Sequence, residues 1–396
     1  MSETVTRGSA GLRLGVIGYG HRIRHFLTQI DRFQAGAGVV ALVDPRAGEL
    51  RAAYPDALRD AVAYADADQM LDTADLDGVL IGTRCALHTP YAVQVLARNL
   101  PLFLEKPAAT SWEQLAALSA AAARSTSPVV VSFPLRVSPL CEMARQIVDS
   151  GVIGTVEQVQ AVNNVPAYGY YYYHYWMRDD QETGGLWLQK ATHDFDYINS
   201  LVRQRPRRIC AVESKTVFTG DMPAGLRCAD CPRQEECMES PYNLFYRRGE
   251  TQTLESNDWL CSFAVDTGNH DSASAIIEYQ SGMHAVYTQN FYARRGAAAR
   301  GATLIGYRGT LQFDWYRDEI VVHHHHNARV ERHRLENQNE GHFAGDKELA
   351  HDFLQVMRGR GGSRAPLEAG ILSCQMCLMA RDACQSHTYQ DFHPLG

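Results

Sequence analysis

The chain has 396 residues, more than one hydrophobic core ordinarily organises, so two domains are expected. A formal charge of -7, with no long Lys/Arg run, excludes the basic face that nucleic acid requires. No stretch approaches the roughly 18 apolar residues of a membrane span, and the first residues lack a signal-peptide pattern, so a cytoplasmic protein with neither nucleic-acid nor membrane partners is expected.

Residues 12–17 form a short apolar run that ends in Gly18-Tyr19-Gly20-His21-Arg22, and helical periodicity follows over 21–33. A strand, a glycine turn and a helix start in that order present backbone amides to a pyrophosphate. Residues 39–43 read as a second strand closed by Asp44. A carboxylate there accepts a ribose 2′-hydroxyl and repels a 2′-phosphate, which favours NAD over NADP. Ile23 stands where the third glycine of the dinucleotide fingerprint belongs, and a Gly-x-Gly turn alone is equally a plain tight turn; the strand–helix context and Asp44 favour the nucleotide. Strands at 79–81, 102–104 and 129–132 alternate with helices at 90–98 and 112–124, which predicts a doubly wound parallel sheet over 1–133. Glu105-Lys106-Pro107 ends one of these strands, so Lys106 falls at the carboxyl edge where open α/β sheets bind ligands; an ordinary surface lysine is the alternative.

After 134 the strands lengthen and alternate, at 156–165, 208–218, 272–279, 283–291, 302–305, 310–315 and 319–323, with Gln280-Ser281-Gly282 as a hairpin turn. This predicts an α+β domain over 134–396 with a large, mostly antiparallel open sheet. A helix at 347–358, apolar at Leu349, Phe353 and Val356, follows the strands. Residues 183–197 place Lys190, His193 and Asp196 within two helical turns after Gly184-Gly185. At 3.6 residues per turn Gln189, His193 and Asp196 share a face, so Asp196 can orient an imidazole that exchanges a proton with a bound hydroxyl. A core helix carrying one hydrogen-bonded histidine is the alternative. That helix covers one face of the sheet. The other face needs a cover, and a sheet-to-sheet homodimer or homotetramer supplies it.

Ten cysteines without a signal peptide point to thiols or metal ligands rather than disulfides. Cys228-x2-Cys231-x5-Cys237 and Cys261 lie in a polar insertion over about 221–262. Four thiolates close a tetrahedral zinc site of structural type; an iron–sulfur cluster and plain reduced thiols are the alternatives. Cys374, Cys377 and Cys384 fit helix packing. The run Tyr168, Tyr170, Tyr171, Tyr172, Tyr173, Tyr175 and Trp176 offers flat rings and hydroxyls to a carbohydrate, or an ordered loop at a subunit interface. Arg178 and Lys190, if both face inward, suit an anionic substrate. His323 to His326 alternate between strand faces and read as a solvated hairpin end. His342 and Asp346 sit in a glycine-bracketed turn able to approach a ligand.

The motifs Gly15-Val16-Ile17-Gly18-Tyr19-Gly20, Val43-Asp44-Pro45, Ile81-Gly82-Thr83-Arg84 with His88, Glu105-Lys106-Pro107, and Gly184-Gly185 with His193 and Asp196 occur in one order. In these the chain resembles the glucose-fructose oxidoreductase, inositol dehydrogenase and rhizopine-catabolism family, Gfo/Idh/MocA. The resemblance implies an NAD-dependent oxidoreductase acting on a secondary hydroxyl of a sugar, cyclitol or glycoside. Lys106 would lie beside the nicotinamide, His193 would be the acid/base, and Lys190 and Asp196 would assist. Gly18, Tyr19, Gly20, His21, Arg22, Asp44, Thr83, Arg84, His88, Glu105 and Lys106 would line the cofactor cleft, and Tyr172, Arg178, Gln189 and His342 the substrate. Gln189 departs from the aspartate common four residues before the histidine. A neutral amide does not stabilise an imidazolium as a carboxylate does, so Asp196 or Asp194 takes that role or the chemistry differs. Two alternatives stand: an NAD-dependent glycoside hydrolase working by transient C3 oxidation, elimination and re-reduction, and an inactive dinucleotide-binding sensor.

Overall fold

Runs such as Gly78–Ile81 and Leu102–Leu104 are buried at every position, the pattern of strands covered by helices on both faces. The computed structural model, which describes residues 11–34, 36–166, 170–244, 259–335 and 341–395, pairs them in a six-stranded sheet. Its strands are β1 (Arg13–Ile17), β2 (Gly38–Val43), β3 (Val62–Ala63), β4 (Gly78–Ile81), β5 (Leu102–Leu104) and β6 (Val129–Val131). All pairs are parallel, in the order β3-β2-β1-β4-β5-β6. The chain's winding reverses between β1 and β4, and at the carboxyl ends of two such strands a sheet leaves a crevice for a ligand. Helices His21–Asp31, His88–Ala97 and Trp112–Ala122 stand where the periodicity puts them.

The chain divides into two compact units. One comprises Met1–Met143, Asn337–Gln375 and Pro394–Gly396, the other Ala144–Glu336 and Met376–His393. The first compact unit also takes in 134–143 and the helix Gly345–Met357, which follows the antiparallel strands in sequence. Its Phe353 meets Phe26 and Phe103 at ring-centroid distances of 6.4 and 5.9 Å. An amphipathic stripe shows that a helix covers a sheet, not which sheet.

The second unit is built on period-two strands. In β9 (Ser272–Tyr279) positions 273, 275, 277 and 279 are buried, and in β10 (His284–Asn290) positions 285, 287 and 289. Gly282 between them has φ of 92°, the left-handed conformation that the tight turn requires. With β7 (Val156–Asn164), β8 (Pro206–Ser214), β11 (Ala299–Gly306), β12 (Gly309–Asp314), β13 (Glu319–His324), β14 (Val330–Arg334) and β15 (Gln390–Asp391) they form one sheet. The order is β14-β13-β12-β11-β7-β10-β9-β8-β15, antiparallel except for β7 with β10. The helix Thr192–Val202 lies on one face, where Ile198 and Leu201 meet Val159, Ala302 and Leu304. On the opposite face Val212, Ile276 and Val286 are exposed. Among the described residues no helix is long and apolar enough to cross a membrane.

Gly345 begins its helix against the Pro134 backbone, and a Cβ on it would collide with the Pro134 carbonyl oxygen. Gly345→Ala should therefore lower the unfolding free energy by about 1–3 kcal/mol, seen as an earlier urea midpoint with an unchanged slope. An unshifted midpoint would show that the contact yields without cost.

Candidate active site

After β1 the chain reverses through Gly18-Tyr19-Gly20 into the helix His21–Asp31. Gly18 has φ of 83°, and a Cβ on it would come within 2.8 Å of Thr83 Cγ2, so both conformation and space require glycine. Gly20 is the N-cap and brings no side chain to the first-turn amides, which therefore offer their partial positive charge to an anion. Asp44 braces the turn. Its Oδ2 accepts from the Tyr19 amide at 3.0 Å and its Oδ1 from the Arg46 amide at 2.9 Å, leaving lone pairs for ribose hydroxyls. The absent third glycine has a structural counterpart: a Cβ on Gly82, just past β4, would collide with the Ile23 side chain. The close helix–strand approach that the fingerprint's last glycine permits is made here from the strand side. These residues fit a dinucleotide, and Gly18, Tyr19, Gly20, His21 and Asp44 would hold it.

His88 is a staple rather than an open cleft residue. It is buried, with Nδ1 2.8 Å from the Pro107 carbonyl and Nε2 3.2 Å from the Thr83 carbonyl. Burial lowers its pKa. The ring stands between the two carbonyls, and in its neutral form it donates to one of them at a time. Thr83 donates to the Arg84 carbonyl at 3.1 Å, and Arg84 is exposed.

Arg22, expected to line the cofactor cleft, turns into the protein. Its Nε donates to Glu105 Oε1 at 2.9 Å, and its Nη2 to Ser132 Oγ at 3.1 Å and Asp346 Oδ1 at 2.5 Å. Asp346 Oδ2 lies 3.1 Å from His25 Nε2 and 2.8 Å from His342 Nδ1. Burial would raise the Asp346 pKa, but the charges of His342 and Arg22 outweigh it and hold the carboxyl well below the ordinary range. The network fixes Glu105 next to Lys106. Approaching it, His342, Phe343 and Ala344 have φ of 45°, 57° and 67°, three successive non-glycine residues in the left-handed region. His25 was not foreseen; its one signal is a place three residues from Arg22 on the same helix.

In the second unit His193 and Asp196 are buried on the helix Thr192–Val202. A single π-helical turn, Trp187–Ala191, precedes it, so the 3.6-residue count that aligned Gln189 with His193 does not hold through that stretch. Gln189 and Lys190 are buried there, and Lys190 Nζ stands 5.7 Å from the centre of the Tyr172 ring. Asp194 is fully buried and does not replace the missing acid. Its Oδ1 accepts from Arg300 Nε at 2.9 Å, and its Oδ2 from Asn163 Nδ2 at 2.7 Å and the Tyr287 hydroxyl at 2.9 Å. That hydroxyl lies 3.1 Å from Gln289 Oε1, and contacts of 3.1, 3.0 and 2.8 Å continue through His270 and Glu213 to Trp187 Nε1. A polar line thus joins Asp194 to the π turn.

Other expected contacts lie elsewhere. Arg178 is buried, with Nη2 donating to Asp266 Oδ1 at 2.7 Å and Thr267 Oγ1 at 2.6 Å, so this cation serves the insertion and not an anionic substrate. Three tyrosines of the run pack inward, Tyr173 on Phe218 at 4.0 Å, Tyr170 on Trp259 at 4.9 Å and Tyr172 on Phe291 at 5.4 Å; Tyr171 is exposed, and Tyr168 lies outside the described residues. Cys228, Cys231, Cys237 and Cys261 line one void with His174, and none is in a disulfide. Burial and the neighbouring cysteines push the Cys228 thiol up to about 12. Among the described residues no three His, Cys, Asp or Glu side chains are set as a metal site, so the tetrahedral zinc site expected from the spacing is not preformed. Residues 245–258 of the insertion lie outside the described ones. The histidine run ends β13, where His324 meets Glu331 at 2.6 Å.

The profile for the oxidoreductase family with NAD-binding Rossmann fold, GFO/IDH/MocA, matches residues 12–133, and that for the GFO/IDH/MocA C-terminal domain matches 141–312. The chain belongs to the Gfo/Idh/MocA family. This Gfo/Idh/MocA member is 26% identical over 291 residues to YteT of Bacillus subtilis, a match spanning 67% of this chain and 68% of YteT. It is 31% identical over 157 residues to an inositol 2-dehydrogenase of Agrobacterium fabrum, spanning 39% of this chain and 46% of that protein. A levoglucosan dehydrogenase, solved in complex with NADH and levoglucosan, superposes with a TM-score of 0.74 over 96% of this chain and 99% of the other. At 16% identity that likeness shows the fold. As a Gfo/Idh/MocA protein the chain is an NAD-binding oxidoreductase.

The Asp346 network carries a pH signature. A carboxyl depressed below its ordinary 3.8 contributes stability that is complete above that value and is lost as pH falls through the folded-state value. Urea titrations at decreasing pH should show the parent losing stability below about pH 4, and Asp346→Asn should be weaker at neutral pH with a shallower acid dependence. Equal slopes in the two proteins would count against this assignment.

Proposed function

We propose that this Gfo/Idh/MocA oxidoreductase is an NAD-dependent dehydrogenase interconverting a secondary hydroxyl and a ketone on a polyhydroxylated ring, a sugar, cyclitol or glycoside. The observation that carries the reading is the glycine turn, with its uncapped helix start, beside Asp44, a carboxylate that accepts ribose hydroxyls and repels a 2′-phosphate. The inositol 2-dehydrogenase relative supports a ring hydroxyl as the reacting group. When bound, the nicotinamide supplies or accepts the hydride. His193 exchanges the hydroxyl proton from a buried position. Lys106 stabilises the developing alkoxide, and Glu105, held by Arg22, fixes the segment that carries it. Asp196, on the same helix as His193, supplies the acid that Gln189 does not. Lys190, Gln189 and His342 are the candidate substrate contacts.

Incubation with NAD and a panel of inositols, sugars and glycosides should yield NADH stoichiometric with ketone. Lys106→Met and His193→Asn should each lower turnover by roughly 10²–10⁴-fold while NAD affinity stays within a few fold. Aglycone release without NADH would instead identify a hydrolase, and NAD binding without turnover a sensor.

The reading includes a homodimer or larger homo-oligomer assembled sheet to sheet. Ile276 and Val286 are direct cross-strand partners, and both are exposed on the face away from the His193 helix. Light scattering should give a multiple of the 44.2 kDa chain mass that drops to the chain mass in an Ile276→Lys, Val286→Lys double variant. A monomeric parent would refute this assembly.

A further inference from the structure

We propose that Cys228, Cys231, Cys237 and Cys261 bind one zinc ion as four thiolates, in a closed site that orders the insertion and takes no part in catalysis. The backbone brings them together from separate stretches. An antiparallel bridge pairs Arg227 with Leu260, and the amides of Cys228 and Cys261 donate to the Trp259 and Leu226 carbonyls at 2.7 and 2.8 Å. Cys228 and Cys261 thereby each follow one residue of this isolated bridge. A tight turn returns the Cys231 amide to the Cys228 carbonyl at 3.2 Å, and Asn243 Nδ2 fixes the Cys237 carbonyl at 2.9 Å. All four side chains line a single void.

A second observation comes from Arg178. Its guanidinium interacts electrostatically with Cys228 and Cys261, yet among the described residues its Nε and Nη1 have no hydrogen-bond partner. Spare donors on a buried cation are unfavourable beside neutral thiols. They become favourable beside a zinc tetrathiolate, whose net charge of about -2 accepts N–H···S bonds. Binding releases four protons to solvent and transfers no electron, since zinc is not redox active. Uncharged thiols pack around a void, whereas thiolates draw to about 2.3 Å from zinc, so closure of the void is the change that binding makes. The gain is large where apolar packing is small, and among the described residues the buried cluster at this point is Tyr170, Cys228 and Trp259, with Tyr175 and Leu244 against it.

The full-length chain, produced without a histidine tag or chelator in zinc-supplemented medium, should contain about one zinc per chain, released when a mercurial blocks the thiols. Replacement by cobalt(II) should give sulfur-to-cobalt charge-transfer bands and the strong visible bands of a tetrahedral site. Those bands need sulfur, so the histidines at 323–326 cannot produce them. Cys237→Ser and Cys261→Ser should each reduce bound zinc more than tenfold; the cobalt spectrum of the parent decides the matter even where a variant fails to fold. The proposal is overturned if cobalt gives no thiolate bands, if a Cys228→Ser, Cys231→Ser variant keeps the parent's zinc content, or if anaerobically purified protein carries an iron–sulfur chromophore.

Discussion

One buried carboxylate organises the second unit. Asp194 accepts from Arg300 on β11, Asn163 on β7 and Tyr287 on β10, so three strands hold a single side chain of the His193 helix. Removing one partner of a buried ion pair typically costs about 3–5 kcal/mol, a large share of the roughly 5–15 kcal/mol that keeps a domain folded. The position of His193 is therefore tied to the integrity of the sheet. The proton exchange proposed for His193 works only within hydrogen-bond reach of its target, and a helix free to slide by a fraction of a turn would lose that reach. The line from Tyr287 through Gln289, His270 and Glu213 to Trp187 extends the hold to the π turn, where Gln189 and Lys190 reside.

In the first unit the corresponding constraint is electrostatic. Arg22, Glu105 and Asp346 come from the first helix, the end of β5 and a helix more than two hundred residues later, and each carboxylate is buried against the same guanidinium. A charged side chain beside the glycine turn thus serves the scaffold. The anion-binding capacity of the turn rests on backbone amides, which carry no proton that titrates in the ordinary pH range.

Much of this was legible in the sequence because it is local. The βα alternation, the turn at Gly18, Asp44 at the end of β2 and the two-residue period of β9 and β10 each follow from neighbouring residues. What escaped depends on distant partners. Arg178 looks like a cation ready for a substrate until Asp266 is placed beside it, and Arg22 looks like part of the cofactor cleft until Asp346 is. The helix Gly345–Met357 has an apolar stripe that suits either sheet, and only its contacts with Phe26 and Phe103 decide between them. The π turn escaped for another reason: a count of 3.6 residues per turn assumes a regular helix, and no residue type in Trp187–Ala191 announces the wider pitch.

The fit of Ile23 over Gly82 bears on how such folds diverge. Clearance between a helix and the strand beneath it is set jointly by the two surfaces, so a bulky side chain on one is tolerated when the other is bare. Gly82 cannot be enlarged alone: a side chain there demands that Ile23 shrink. A signature written from one strand and its turn scores half of such a couple.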